Sequence, residues 1–144
     1  IQKLDKFLDK IDNWAVCDAC TATLKFTNKN REAMWNYIQK YLNSNQEFEV
    51  RFAVIMMMDY FLTDEYVDKV LEEYEKIHLD KYYVKMGIAW GISVAFVKYE
   101  EKTRTFLQNN ALDKETFNKA IQKIIESNRV SKEVKDEMRR MKRK

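Results

Sequence analysis

The sequence predicts an all-α protein, and three observations support this fold class. The 144 residues contain no proline and only two glycines, Gly87 and Gly91, whereas sheet proteins need many more turn-forming residues. Apolar residues recur at helical spacing almost from end to end. With 46% hydrophobic and 34% charged residues, the chain is too apolar for a disordered protein and too charged for a membrane bundle.

Apolar stripes place the predicted helices in order along the chain. A first stripe ends near Ile11, and Asp12 or Asn13 can cap a second helix over about residues 14–24. Asp113 and Ser131 are predicted to cap the last two helices. Leu112 and Phe117 have the spacing of a hydrophobic staple around the first of these caps. The helices between have predicted ranges 31–42, 52–62, 65–77 and 82–97.

Two kinds of predicted helix alternate. The helix at 65–77 has one apolar and one charged face, whereas those at 52–62 and 82–97 are apolar on nearly every side and are predicted to be core. This alternation is typical of helix pairs stacked in two layers, and the short connections favour antiparallel neighbours. A compact helical bundle is the alternative. The 82–97 helix is too short for a membrane span, and it also carries a lysine.

Charge and cysteine content narrow the function classes. The net charge is only +3, but basic residues concentrate in 131–144, which suits either a polyanion or a solvated helix end. Cys17 and Cys20 lack the preceding strand of a redox motif and the second pair of a zinc site. His78 is the only histidine, so we expect no metal, no cofactor and no histidine-based triad. Reduced thiols favour a cytoplasmic protein.

Trp14 and Asp18 are the first candidates for chemistry. They are four residues apart in a helical pattern and share one face. Their simplest interpretation is a core tryptophan and a surface charge, but a carboxylate among apolar neighbours needs a partner or a cationic ligand. Arg51 could be that partner, could bind a phosphate, or could be a solvated helix-end charge.

A second group lies on the apolar 82–97 helix. Trp90 follows Tyr82 and Tyr83 by about two turns, and core packing is the simplest interpretation of its spacing. Gly87 and Gly91 lie one helical turn apart, so one side of this helix is bare. We expect another helix or a ligand to pack closely against that side.

Four parts of the sequence resemble the DNA alkylation repair family of AlkD-type glycosylases, and the resemblance covers essentially the whole chain. They are DNWAVCD at residues 12–18, EVRFA at 49–53, YYVKMGIAW at 82–90, and NKAIQK at 118–123 followed by ESNRV at 126–130.

The resemblance implies a fold and an activity. The fold would be a HEAT-like α-α superhelix of stacked antiparallel helix pairs, curved around duplex DNA. The activity would be release of cationic alkylated purines, such as 3-methyladenine and 7-methylguanine, without a metal. Full members carry more helices before the region that matches Trp14. Residues 1–144 are therefore expected to be a single domain, the C-terminal portion of such a glycosylase.

The resemblance also implies roles for individual residues. Asp18 would be the catalytic carboxylate, with Trp14 and Trp90 as the aromatic walls of the site. The DNA-binding residues would be Arg51, Tyr82, Tyr83 and Arg129. Two alternatives stay open: a non-catalytic HEAT-like module that binds DNA or protein, and a protein that recognises damage without removing the base.

Overall fold

A computed structural model describes residues 30–144, and this part of the chain is all-α. It contains seven helices and, within these residues, no strand. Their bounds are α1 Arg31–Leu42, α2 Glu47–Tyr60, α3 Val67–Lys76, α4 Tyr82–Lys98, α5 Glu100–Gln108, α6 Lys114–Glu126 and α7 Lys132–Met141. The two helices predicted before residue 30, one ending near Ile11 and one at 14–24, lie outside the described residues.

The observed helix bounds confirm most of the predicted ones. Helix α1 has the predicted range, and α4 and α3 agree with theirs to within two residues at each end. Helix α2 begins at Glu47 rather than at residue 52. The apolar pattern missed this start because the first turn is acidic, which is favourable at a helix N-terminus but interrupts the run of apolar residues. Helix α5 was not predicted. Only Thr103 and Leu107 are buried along it, which is too few apolar contacts to produce a stripe.

The helices pack in two layers of antiparallel pairs. Helix α4 packs between α2 and α6 in an inner layer, whereas α1, α3, α5 and α7 lie outside. The Glu47 carboxylate accepts a hydrogen bond from the Tyr83 amide at 3.1 Å, so α2 and α4 begin side by side and run parallel. Arg31, at the start of α1, donates to the carbonyl of Tyr60 at the end of α2, so this pair is antiparallel. The stacked pairs confirm the HEAT-like arrangement rather than the compact bundle.

The core confirms the contrast between apolar and two-faced helices. In α2 every residue from Val50 to Met58 is buried, and only Asp59 among its later residues is exposed. Helix α3 buries one apolar stripe, and its charged residues are exposed or half-buried, which confirms the predicted two-faced pattern. None of the described helices is both long and apolar enough to pass through a membrane.

The N-caps predicted for the last two helices are confirmed, whereas the cap predicted at Asp12 or Asn13 lies outside the described residues. The Asp113 carboxylate accepts a hydrogen bond from the Thr116 amide at 3.1 Å, and the Ser131 hydroxyl accepts one from the Val134 amide at 3.3 Å. These bonds satisfy amides that no preceding helical carbonyl can reach.

Part of the basic C-terminal segment is used inside the fold. The Arg143 guanidinium lies 3.9 Å from the centre of the Phe117 ring and donates to the Leu112 carbonyl at 2.7 Å. The Asn118 side chain bonds both the amide and the carbonyl of Arg143. This arginine therefore joins the segment after α7 to α6.

Candidate functional site

A cavity of about 340 Å³ opens beside the first half of α4, where α2 and α6 flank it. Its described lining combines aromatic and cationic side chains and contains no carboxylate. The lining residues are Arg51, Tyr82, Tyr83, Met86, Trp90, Lys119 and Lys123. Such a surface suits a ligand that carries both negative charge and flat apolar rings.

Trp90 and Tyr82 are the exposed large apolar side chains of the described residues. Trp90 is 40% exposed and Tyr82 is 61% exposed, and both line this cavity. The prediction that α4 is core on nearly every side is therefore wrong on one stripe, and so is the core interpretation of Trp90. The stripe with Tyr82 and Trp90 is exposed because α2 and α6 cover only two other sides of α4, and α3 and α5 pack against it from the outer layer.

The two glycines of α4 are covered by protein. A Cβ atom added at Gly91 would fall on the hydroxyl of Tyr74 and 2.8 Å from its Cε2 atom. One added at Gly87 would lie 3.3 Å from Val54 Cγ1 and 3.4 Å from Arg51 Nη1. The side of α4 that carries Gly87 and Gly91 was predicted to contact either another helix or a ligand. In the structure, side chains of α2 and α3 occupy it.

Arg51 is buried at the edge of the cavity. Its side chain is on α2 with only 5% of the residue exposed, and Nη1 donates to the Tyr83 carbonyl at 2.6 Å. The solvated helix-end interpretation of Arg51 is therefore wrong. The bond also fixes the first turn of α4, because the Tyr83 amide is held at the same time by Glu47 at 3.1 Å.

Lys119 and Lys123 are cavity residues that the sequence did not single out. They lie four residues apart on α6 and face the same side of that helix. Their spacing was visible in the sequence, but cations four apart on a two-faced helix are more often a solvated surface. Only the position of α6 beside α4 turns them toward Trp90.

Arg129 does not join the other predicted DNA-binding residues. It is exposed and lines a separate cavity of about 210 Å³ near the end of α4. The remaining lining residues of that cavity are Ser93, Val94, Val97, Lys98 and Ser127. The structure thus brings Arg51, Tyr82, Tyr83 and Trp90 together and leaves Arg129 apart. Trp14 and Asp18 lie outside the described residues, as do Cys17 and Cys20.

A third cavity, of about 270 Å³, lies beside Lys85 and includes His78. Asp80, 2.6 Å from Lys85 Nζ, does most to raise the pKa of this ammonium, and Asp113 and Glu115 add to the effect. Such pairing makes Lys85 a fixed cation that ties the starts of α4 and α6 together. Across residues 30–144, no three histidine, cysteine or acidic side chains are grouped so as to hold a metal ion.

The family follows from comparison with known proteins. The model of the family described as "DNA alkylation repair enzyme" matches residues 1–124. The chain therefore belongs to the DNA alkylation repair enzyme family. No curated protein and no solved structure matches it significantly.

Proposed function

We propose that this protein is a DNA glycosylase that hydrolyses the N-glycosidic bond of cationic alkylated purines, such as 3-methyladenine and 7-methylguanine, in duplex DNA. Membership of the DNA alkylation repair enzyme family supports the proposal. The observation that carries it is the position of Trp90 and Tyr82, both exposed in one cavity beside three cationic side chains.

The cavity suits a DNA strand better than a basic or uncharged ligand. Lys119 and Lys123 offer ammonium groups to phosphates, and no described lining residue would repel them. Trp90 offers an indole face to a cationic base or sugar, an attraction that contributes on the order of 0.5–2 kcal/mol. Arg51 supports this wall by fixing the backbone of Tyr83.

The chemistry assigned to the site needs no general acid. An alkylated purine that is already positively charged leaves as a neutral base, so the charge that needs stabilising develops on the deoxyribose. We assign that stabilisation to the Asp18 carboxylate, which would also orient or deprotonate the attacking water. Trp14 and Trp90 would enclose the cationic nucleoside. Neutral lesions should consequently be poor substrates.

The test is release of 7-methylguanine from methylated duplex DNA under single-turnover conditions. We expect Asp18→Asn to lower the rate about 100-fold, the low end of what a positioned carboxylate contributes. The matched control is Asp68→Asn, which makes the same substitution at an exposed carboxylate on the outer face of α3 and should leave the rate unchanged. Thermal unfolding of both variants excludes loss of the fold as the cause.

Two outcomes would contradict the proposal. Equal rates for Asp18→Asn and the wild-type chain would remove Asp18 from the chemistry. Tight binding of methylated DNA without any release of base by the wild-type chain would instead support the non-catalytic DNA-binding module.

A further inference from the structure

We infer that the last helix, α7, carries a second phosphate-binding surface, which contacts the backbone of duplex DNA outside the cavity beside α4. Three residues form this surface, here called the terminal stripe: Lys132, Lys135 and Arg139. The inference rests on the proposed function, because it takes the ligand of the cavity to be duplex DNA. It adds a contact that is independent of damage. Family membership does not assign it, because the match ends before α7.

The residues of the terminal stripe lie on one face of α7. They are three and four positions apart, a spacing that brings side chains together on a helix. Lys132 and Arg139 are exposed, and Lys135 is half-buried. Within the part of the chain that the structure describes, Arg139 pairs with Asp136 at 2.6 Å, whereas neither lysine forms an ion pair. The two lysines are therefore available to an external anion.

The position of the two lysines is unfavourable for the helix itself. Both lie within the first four residues of α7, where the helix dipole favours acidic side chains and disfavours cations. Arg139 and Arg140, by contrast, lie in the last turn, where the dipole favours cations. A solvated helix end therefore explains the basic residues at the end of α7 but not those at its start.

The terminal stripe is continuous with the cavity across α6. Helix α7 packs on α6, and Lys142, just after α7, donates from Nζ to Gln122 Oε1 at 2.6 Å. Gln122 lies within one helical turn of both cavity lysines of α6. On the opposite side of α7, Glu137 accepts a hydrogen bond from Arg104 of α5 at 2.9 Å. The stripe thus faces away from α5 and extends the cationic surface that begins in the cavity.

The buried side of α7 argues against a membrane as the partner. A helix that lies on a bilayer inserts an exposed apolar face between the lipids. In α7 this face is used within the protein: Met138 is buried, and Val134 and Met141 pack against the core. The charged stripe that is left exposed suits the phosphates of a nucleic-acid backbone.

The test compares Lys135→Ala with Arg140→Ala in the binding of a fluorescent duplex over a salt series. Each variant removes one cation from α7, but Arg140 shares the other side of the helix with Glu133 and Glu137. We expect Lys135→Ala to reduce the slope of log K against log salt by roughly one unit. Its loss of affinity should therefore shrink about threefold between about 50 and about 200 mM salt. Arg140→Ala should keep the wild-type slope.

Two further measurements separate a phosphate contact from other roles of Lys135. The salt series is repeated on an undamaged duplex and on one with a tetrahydrofuran abasic analogue. Because phosphates carry no information about the base, Lys135→Ala should weaken binding to both by the same factor. Thermal unfolding should show no loss of stability, since the variant removes a cation from the positive end of a helix dipole.

Three outcomes would overturn the inference. They are an equal slope for Lys135→Ala and Arg140→Ala, a loss of affinity confined to the abasic duplex, and a lowered unfolding temperature for Lys135→Ala. Release of 7-methylguanine reports the proposed function separately. Release by the wild-type chain without the slope change would overturn only the terminal stripe. The slope change without any release would overturn only the glycosylase proposal.

Discussion

Gly91 lets a buried tyrosine pass directly beneath the helix that carries Trp90. The Tyr74 ring occupies the space in which a side chain at position 91 would stand, and its hydroxyl donates to the Val54 carbonyl at 2.9 Å. Complete burial raises the pKa of Tyr74, so it stays a neutral donor in this bond. One hydrogen-bonded side chain thus joins α3, α2 and α4 behind the candidate site.

We expect Gly91→Ala to lower the free energy of unfolding by about 1–3 kcal/mol, the usual cost of overpacking a core. Gly87→Ala is the matched control. Its Cβ would meet Val54 Cγ1 at 3.3 Å, a small overlap that the gain in helix propensity of about 1 kcal/mol offsets. Urea unfolding of both variants is the measurement. Wild-type stability for Gly91→Ala would show that the Tyr74 ring can move aside.

At the scale of single residues, the sequence predicted the types of side chain at the site better than their exposure. It identified Trp90, Tyr82, Tyr83 and Arg51, but its simplest interpretation of Trp90 as core was wrong. Helical spacing shows which residues share a face. It does not show which faces the other helices cover, since that depends on contacts between distant parts of the chain.

At the scale of elements, side chains cap the N-termini of α6 and α7. At the start of α6 the Asp113 carboxylate caps the helix, and Lys85 of α4 lies 3.6 Å from it. Burial alone would raise the pKa of Asp113. Hydrogen bonds from the hydroxyl and amide of Thr116, together with the charge of Lys85, outweigh burial and hold this pKa below its ordinary value.

This lowered pKa makes stability depend on pH. The folded state holds its proton less tightly than the unfolded state, so the contribution of Asp113 is complete above about pH 5 and is lost as the pH falls through the folded pKa. We expect Asp113→Asn to be less stable than the wild-type chain at pH 7, with a difference that narrows toward pH 3. Thermal unfolding at a series of pH values is the measurement.

The second cap supplies the control. Ser131→Ala removes a cap that has no charge, so its cost of about 1 kcal/mol should stay the same at every pH. A constant difference for Asp113→Asn as well would contradict the assigned role of the Asp113 charge.

Among the elements, those with strong apolar stripes and clear caps could be predicted from the sequence. The range of α1 and the caps of α6 and α7 follow from short-range signals alone. Helix α5 could not be predicted in this way. It is held by ion pairs to other outer helices, Lys102 with Asp68 and Arg104 with Glu137, and such partners are distant in sequence.

At the scale of the molecule, charge is unevenly distributed over the part of the chain that the structure describes. On the outer helices acidic and basic side chains pair with one another, whereas the described lining of the Trp90 cavity is cationic and contains no carboxylate. This asymmetry could not be read from a net charge of +3, because the sequence total averages over both faces. We therefore expect the cavity of the inner layer to contribute more than the outer helices to the binding of a polyanion.

We expect the double variant Lys119→Ala/Lys123→Ala to weaken DNA binding and to reduce the slope of log K against log salt by about 2, or roughly one unit per lost phosphate contact. Lys76→Ala/Lys102→Ala removes the same charge from the outer layer and should leave the slope unchanged. Fluorescence anisotropy over a salt series is the measurement. Equal slopes for the two double variants would show that the cavity lysines do not contact phosphates.

The methionines of this protein differ in how far an oxidant can reach them. Met56, Met57 and Met58 are enclosed in α2, whereas Met86 is half-buried in the wall of the cavity beside Trp90. Conversion of a thioether to its sulfoxide requires access to the sulfur. Mild peroxide therefore modifies Met86, at the candidate site, and the half-buried Met141 before the methionines of α2. Sulfoxide at Met56, Met57 or Met58 marks molecules whose core has already unfolded locally.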